Sequence, residues 1–270
     1  MLKRSFGKIR HFLTRALQVR PAHPLGSALC VSTDFGPLIL KPGDIITAHV
    51  VRYGEWDEHI IALARSSVAA GSVAIDAGAH FGTVSCALAT HFRQIHAFEA
   101  NEDNVRYLQA NAALRPLGRI VVHHTGLYSR AVQISLAGRD LQEVTLEAGI
   151  DERAAFQQAT NSGGLMFVTG GSGVNSISAV TIDSFALEDV GFIKIDCQGA
   201  DGEVLLGAVD TIARCRPVVV FEWEEHLASS HSRTLAQTQH TLTELGYRVE
   251  VLREYNEPGK PVDYVGMPVG

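Results

Sequence analysis

Residues 73–99 read VAIDAGAHFGTVSCALATHFRQIHAFE. A short apolar strand, Val73-Ala74-Ile75, runs into Asp76-Ala77-Gly78. A helix is expected from about Gly82 to Thr90, and a second apolar strand, Ile95 to Phe98, ends at Glu99. Short apolar strands that alternate with helices of about ten residues imply parallel strands joined by crossover helices. The pattern continues in both directions. Asn104 to Leu114 reads as a helix with Val105, Leu108 and Ala112 spaced for burial, and Ile120 to His123 as a third strand. Residues 131–136 suggest an extra strand. The alternation resumes at Phe192 to Ile195, ending at Asp196. A helix over 201–213, a strand Val218 to Phe221 ending at Glu222, a helix over 232–245 and a strand over 247–252 follow. The expected fold is α/β, a mostly parallel sheet with helices on both faces.

Between these runs, residues 138–174 carry Asp140, Glu143, Glu147, Asp151 and Glu152, then Gly163, Gly164, Gly170, Gly171 and Gly173. So long an insertion reads as a lid, a substrate loop or an unstructured excursion. It lacks the Gly-Lys-Ser/Thr ending of a phosphate-cradling loop. Upstream, 56–70 reads as a helix. Residues 28–33, 36–41 and 45–51 read as strands punctuated by Gly36-Pro37 and Pro42-Gly43. The expected organisation is an N-terminal helix over 1–24, a small β addition over 25–54, and the main domain over 55–270.

Charge is distributed unevenly. The formal net charge is −6, yet residues 1–33 hold Lys3, Arg4, Lys8, Arg10, Arg15 and Arg20 and no acid. The other residues hold 17 basic and 29 acidic side chains. An acidic body disfavours nucleic acid as a partner. Phe6, Ile9, Phe12, Leu13, Ala16 and Leu17 share a helical face in the basic arm. That arm reads either as a helix packed on the body or as a contact, through residues 1–20, with a membrane surface or an acidic partner. No apolar run approaches ~18 residues, so a membrane span is not expected. Cys30, Cys86, Cys197 and Cys215 show no CxxC spacing and read as reduced thiols, which suggests a cytoplasmic location.

In an open parallel sheet, ligands bind beyond the carboxyl ends of the strands, where the strand order reverses. Here those ends carry Asp76, Glu99, Asp196 and Glu222. Glu99 lies where a carboxylate accepts both hydroxyls of a ribose. The glycines of the first turn, Gly78 and Gly82, are spaced Gly-x-x-x-Gly rather than G-x-G-x-x-G. An acid two residues before the first glycine repels a pyrophosphate and suits the cationic end of S-adenosylmethionine. An NAD(P) oxidoreductase is disfavoured accordingly; a non-catalytic S-adenosylmethionine-binding protein remains an alternative. Asp196, Asp201, Glu222, Glu224, Glu225 and His226 read as a solvated acidic rim rather than a metal site, because a hard metal needs several oxygens to converge. Trp56, Trp223 and Tyr53 are candidates for an acceptor pocket or for the core.

VAIDAGAHFG (73–82), HAFEANEDNVRYLQANAAL (96–114), TIDSF (181–185), FIKIDCQGADGEVLLGA (192–208) and RPVVVFEWE (216–224) resemble, in order and spacing, the motifs of FkbM-type S-adenosylmethionine-dependent methyltransferases. The resemblance runs from about Glu55 to Glu222. It implies a Rossmann-like class I methyltransferase sheet and O-methylation of a sugar or other small hydroxyl acceptor. It implies cofactor contacts from Asp76, Gly78 and the turn Ala79, His80, Phe81 and Gly82, with Glu99 on the ribose. It sets Ala100, Asn101 and the turn Thr125 to Leu127, with Gly126, around the adenine, and Asp196 next to the cofactor. This chain departs from the family pattern at His80 (commonly Asn), Ala100 (Pro), Gln198 (Glu) and Asp201 (Glu). A hydroxyl acceptor benefits from a base, for which Asp196 is the first candidate, followed by His80 and Glu222.

Overall fold

The computed structural model describes residues 16–19, 27–137, 166–169, 176–229, 231, 233–254 and 262–270. The chain opens with β1 (Ala16–Val19), β2 (Ala28–Thr33), β3 (Gly36–Leu40), α1 (Ile45–Tyr53) and α2 (Glu58–Ser67). The central run is β4 (Val73–Ala77), α3 (Thr83–Leu88), β5 (Gln94–Glu99), α4 (Glu102–Ala113) and β6 (Ile120–His124). Then come β7 (Gly126–Leu127), β8 (Val132–Ala137), β9 (Met166–Thr169), β10 (Ser176–Val180) and β11 (Val190–Ile195). The last third holds α5 (Asp201–Leu206), α6 (Val209–Cys215), β12 (Val218–Trp223), α7 (Glu225–Ala228), α8 (Leu235–Glu244), β13 (Tyr247–Glu254) and β14 (Val262–Pro268).

Seven strands form the main sheet in the order β13-β14-β12-β11-β4-β5-β6. β4, β5, β6, β11 and β12 pair in parallel, and β14 runs antiparallel to both β12 and β13. The chain moves outward from β4 to β6 and then returns to the other side of β4 as β11. The order therefore reverses between β4 and β11, where Asp76 is in register with Lys194 and Ala77 with Ile195. Side chains along each strand alternate between two cores. Ala74, Phe192, Val218 and Val220 join α2 and α3 in one, and Ile75, Ile193, Ile195 and Phe221 join α5 and α6 in the other. The expected α/β sheet with helices on both faces is what the chain forms.

Several local expectations need correction. Residues 45–51 form α1 rather than a strand, because Asp44 caps the helix through Ile46 N at 2.9 Å and Gly54 closes it in a left-handed conformation. These end signals outweigh the β-branched composition of Ile45, Ile46, Thr47, Val50 and Val51. Ala16–Val19, placed within the N-terminal helix by periodicity, pairs with β2 as a strand; residues 1–15 and 20–26 lie outside the described residues. The expected helix over 201–213 is two helices that part at Gly207, where a Cβ would sit 2.2 Å from the Tyr128 carbonyl oxygen. Within the 138–174 insertion, β9 pairs with β8, in a second sheet of order β7-β10-β8-β9; most of that insertion lies outside the described residues. The four cysteines are free. Among the described residues no helix is long and apolar enough to cross a membrane.

Candidate functional site

The loop after β4 is fastened to the end of β5. Gly78 N and Ala79 N both donate to the Phe98 carbonyl, at 3.0 and 2.9 Å. His80 N donates to Glu99 Oε2 at 2.8 Å, and Asn101 N donates to Glu99 Oε1 at 2.7 Å. Glu99 thus clamps the two loops with one carboxylate. Burial raises its pKa, opposed by the bonds from Asn101 and His80. Asn101 caps α4 by accepting from Asp103 N at 3.0 Å. Gly78, at φ 81°, is required for a packing reason: a Cβ there would lie 1.8 Å from the Asp196 carbonyl oxygen. The close approach is therefore to the end of β11, and it draws the first turn against Asp196.

The structure brings Asp76, Gly78, Ala79, His80, Gly82, Glu99, Ala100, Asn101 and Asp196 together at the ends of β4, β5 and β11. Four of the residues expected at the cofactor are enclosed by the protein itself. Phe81 turns into the core, with its ring 5.0 Å from that of Tyr107. Gly126 and Leu127 are a buried two-residue strand rather than a turn, and a Cβ on Gly126 would meet Ile134 at 2.4 Å. They form the edge strand of the second sheet, beside β10, with Gly126 packed against Ile134 and Ala179. Asp76 is also more enclosed than expected, at 0% exposed. Its Oδ2 accepts from Ser85 Oγ at 2.6 Å, and its Oδ1, which makes no hydrogen bond, lies 3.8 Å from Lys194 Nζ. Burial raises its pKa against the pull of Lys194 and Ser85. Its countercharge is a lysine of the protein.

Lys194 is the residue around which the polar groups assemble. It sits 3% exposed on β11, with Nζ 3.1 Å from Asp196 Oδ2. Burial would push its pKa down, but Asp196, Asp76 and Asp57 together hold it well above the ordinary value. Burial likewise opposes ionisation of Asp196, yet Lys194 and the hydrogen bonds from Lys194, Gln198 and Glu222 hold its pKa below the ordinary range. Gln198 Nε2 donates to Asp196 Oδ1 at 3.1 Å. A glutamate in that place would set a second negative charge against Asp196, whereas Gln198 donates to it.

The remaining acids divide by their partners. Asp201 accepts from Cys197 N at 2.8 Å and Gly199 N at 3.0 Å, which occupies both oxygens with its own loop. Burial, with the Asp196 charge, pushes its pKa to about 7. Burial and the charges of Asp196, Asp201 and Asp263 raise Glu222 well above the carboxylate range. Asp57 and Asp263, which the sequence reading did not single out, belong to the same electrostatic group. Burial, then the Asp196 and Asp263 charges, push Asp57 to about 7 against the pull of Lys194. Asp263 Oδ2 meets His59 Nε2 at 2.7 Å, and Arg253 lies 3.1 Å from the other nitrogen of that ring. Among the described residues no group of three or more ligating side chains is placed to hold a metal ion. Trp223 is core, with Nε1 donating to Glu225 Oε2 at 2.7 Å. Tyr53 is exposed, and Trp56 packs edge-on to His49.

His80 is a poor base. Its ring is buried, and burial pulls its pKa to about 4. A histidine whose folded pKa lies below its unfolded value of 6.5 loses stability as pH falls from 6.5 towards 4, because the unfolded chain binds the proton first. His80 also sits at φ 53°, a conformation asparagine tolerates. His80→Asn is therefore expected to match the parent near pH 8 and to exceed it by on the order of 2 kcal/mol near pH 4.5. Thermal unfolding of both proteins across that range checks this, and a constant gap would sink it.

The sequence matches the model of the methyltransferase FkbM domain over residues 76–249, more than half of the chain. No curated protein matches it. Among solved structures it is similar to the FkbM methyltransferase of Methylobacillus flagellatus, with 17% identity, 72% of this chain and 43% of that one covered, and a TM-score of 0.49. The chain thus spans less than half the length of that protein. A TehB-like SAM-dependent methyltransferase of Corynebacterium glutamicum matches at 11% identity over 82% of this chain and 93% of that one, TM-score 0.44. A Streptococcus mutans protein described as a methyltransferase, solved in complex with SAH, matches at 11% identity over 76% and 93%, TM-score 0.47.

Proposed function

The chain belongs to the FkbM methyltransferase family, and from that premise we propose that it moves a methyl group from S-adenosylmethionine to a hydroxyl of a sugar or other small acceptor. The observation that carries this reading is the pairing, at one reversal of strand order, of two differently prepared carboxylates. Glu99 is fixed by the amides of the two loops, and Asp196 is held ionised by Lys194. The donor set fits the cofactor: Glu99 suits a ribose diol, and the loop 78–82 flanks it. Asp76, with its countercharge supplied by Lys194, acts on a cationic ligand through that pair rather than by direct contact.

When bound, S-adenosylmethionine supplies an activated methyl on a sulfonium, so the protein's main task is alignment. Glu99 and the loop 78–82 would hold the cofactor, which would supply the methyl group to the acceptor oxygen and keep the electron pair of its C–S bond. Asp196 takes the hydroxyl proton. Its depressed pKa is no handicap, because the O–H becomes far more acidic as the oxygen takes on the methyl group. Lys194 and Gln198 hold the Asp196 carboxylate in place, one on each oxygen.

Binding is tested without an acceptor. S-adenosylhomocysteine at about 100 times its Kd is expected to stabilise the fold by ~2.7 kcal/mol, while NADH leaves the melting temperature unchanged. Glu99→Ala removes the ribose partner and the clamp on His80 N and Asn101 N, and is expected to abolish the stabilisation. Stabilisation by NADH, or none by S-adenosylhomocysteine, would overturn the reading.

A further inference from the structure

Asp196 follows Ile195, and Glu222 follows Phe221, the parallel register partner of Ile195. The two carboxyl groups therefore stand side by side at neighbouring strand ends, where a hydrogen bond between them can form. Two carboxylates have four acceptor oxygens and no donor, so a bond between them requires a proton. The surroundings decide where it rests. Asp196 faces Lys194 at 3.1 Å and the Gln198 amide at 3.1 Å, with Asp57 of the α2 start further out. Glu222 faces acids: Asp196 just after β11, Asp201 on α5 and Asp263, its antiparallel register partner on β14. Asp263 is itself engaged by His59, and the ammonium of Lys194 is committed to Asp196 and Asp76.

We propose that Asp196 and Glu222 hold one proton between them, that it resides on Glu222, and that Glu222 is a positioning residue whose O–H aims the ionised Asp196 at the acceptor. The role rests on Asp196 being the base. Together with Lys194 and Gln198, Glu222 gives Asp196 three donors, which leaves the carboxylate few orientations. When Asp196 takes the acceptor proton, the pair becomes doubly protonated, and it returns to one proton before the next turnover.

Glu222→Gln retains a donor of nearly the same shape without a titrating proton. A buried acid with a raised folded pKa costs stability as pH rises above the unfolded value of 4.5, about tenfold in the folding equilibrium per pH unit, until the folded value is reached. The full chain and its Glu222→Gln variant are melted from about pH 5 to about pH 8, and the variant is expected to gain on the parent steadily as pH rises. A gap that stays constant or narrows means that Glu222 is ionised in the fold, and overturns the proposal. In the Asp196→Asn background the widening is expected to shrink, since the charge that raises Glu222 is gone; an unchanged widening overturns the shared proton.

Two further readouts separate this from the parent reading. Glu222→Gln is expected to keep both stabilisation by S-adenosylhomocysteine and turnover on a panel of neutral sugar acceptors, within about twofold, whereas Glu222→Ala lowers turnover by tenfold or more. If Glu222→Gln binds S-adenosylhomocysteine but loses turnover, Glu222 is itself the base and the proposal fails. If Asp196→Asn keeps turnover, the base assignment fails and the positioning role falls with it, while the melting data still report where the proton sits. Should Glu222→Gln fail to fold, the infrared carbonyl band of a protonated acid at neutral pH in the parent serves instead, and its absence overturns the proposal.

Discussion

Asp196→Asn is expected to lower methyl transfer by roughly 10²- to 10⁴-fold while S-adenosylhomocysteine still stabilises the fold. The substitution preserves shape, and an asparagine oxygen still accepts from Lys194, so the loss isolates the negative charge that receives the proton. The chain prepares that charge at some cost. Burial works against it, and Lys194 together with the hydrogen bonds from Gln198 and Glu222 overcomes burial. Because the folded pKa lies below the ordinary value, Asp196 stays ionised throughout the neutral range and contributes no fall in activity between about pH 5 and pH 8. An activity loss in that window must come from another group. Turnover by Asp196→Asn within tenfold of the parent would show that alignment suffices and that the proton leaves to solvent.

The legible part of this site was the part written locally. Asp76, Glu99, Asp196 and Glu222 each end an apolar run, and that position alone brought them to the reversal of strand order. Their roles were less legible, since they depend on residues distant in sequence. Asp76 reads as a ligand contact until Lys194 is seen 3.8 Å away, and Glu222 reads as a base until Asp201 and Asp263 crowd it. The lysine inside Phe192-Ile193-Lys194-Ile195 was a usable signal, because an ammonium in a buried strand demands partners. Asp57 and Asp263 carried no such signal. One looks like an ordinary helix cap yet makes no capping bond, and the other lies on β14, whose Gly266 and Pro268 disguise a strand. The glycine spacing at Gly78 is legible, but only the fold reveals that Asp196 stands against it.

Lys194→Met is expected to cost about 3–5 kcal/mol of stability, the loss typical when one member of a buried ion group is removed. Against a net stability of about 5–15 kcal/mol, that lowers the melting temperature by roughly 10 °C. The cause is charge rather than volume, as methionine fills much the same space. Asp76 is wholly enclosed and retains only the Ser85 hydroxyl, so it takes up a proton in the fold that it releases when unfolded. A raised folded pKa on an acid makes stability fall as pH rises above the unfolded value of 3.8, so the deficit is larger at about pH 8 than at about pH 5. Adding Asp76→Asn to Lys194→Met removes that penalty while an amide oxygen still accepts from Ser85, and most of the lost stability is expected to return. Denaturant unfolding of the two variants at both pH values makes the comparison. A deficit that is independent of pH and unrelieved by Asp76→Asn would mean that Lys194 serves by packing its stem, leaving Asp196 to owe its ionisation to Gln198 and Glu222.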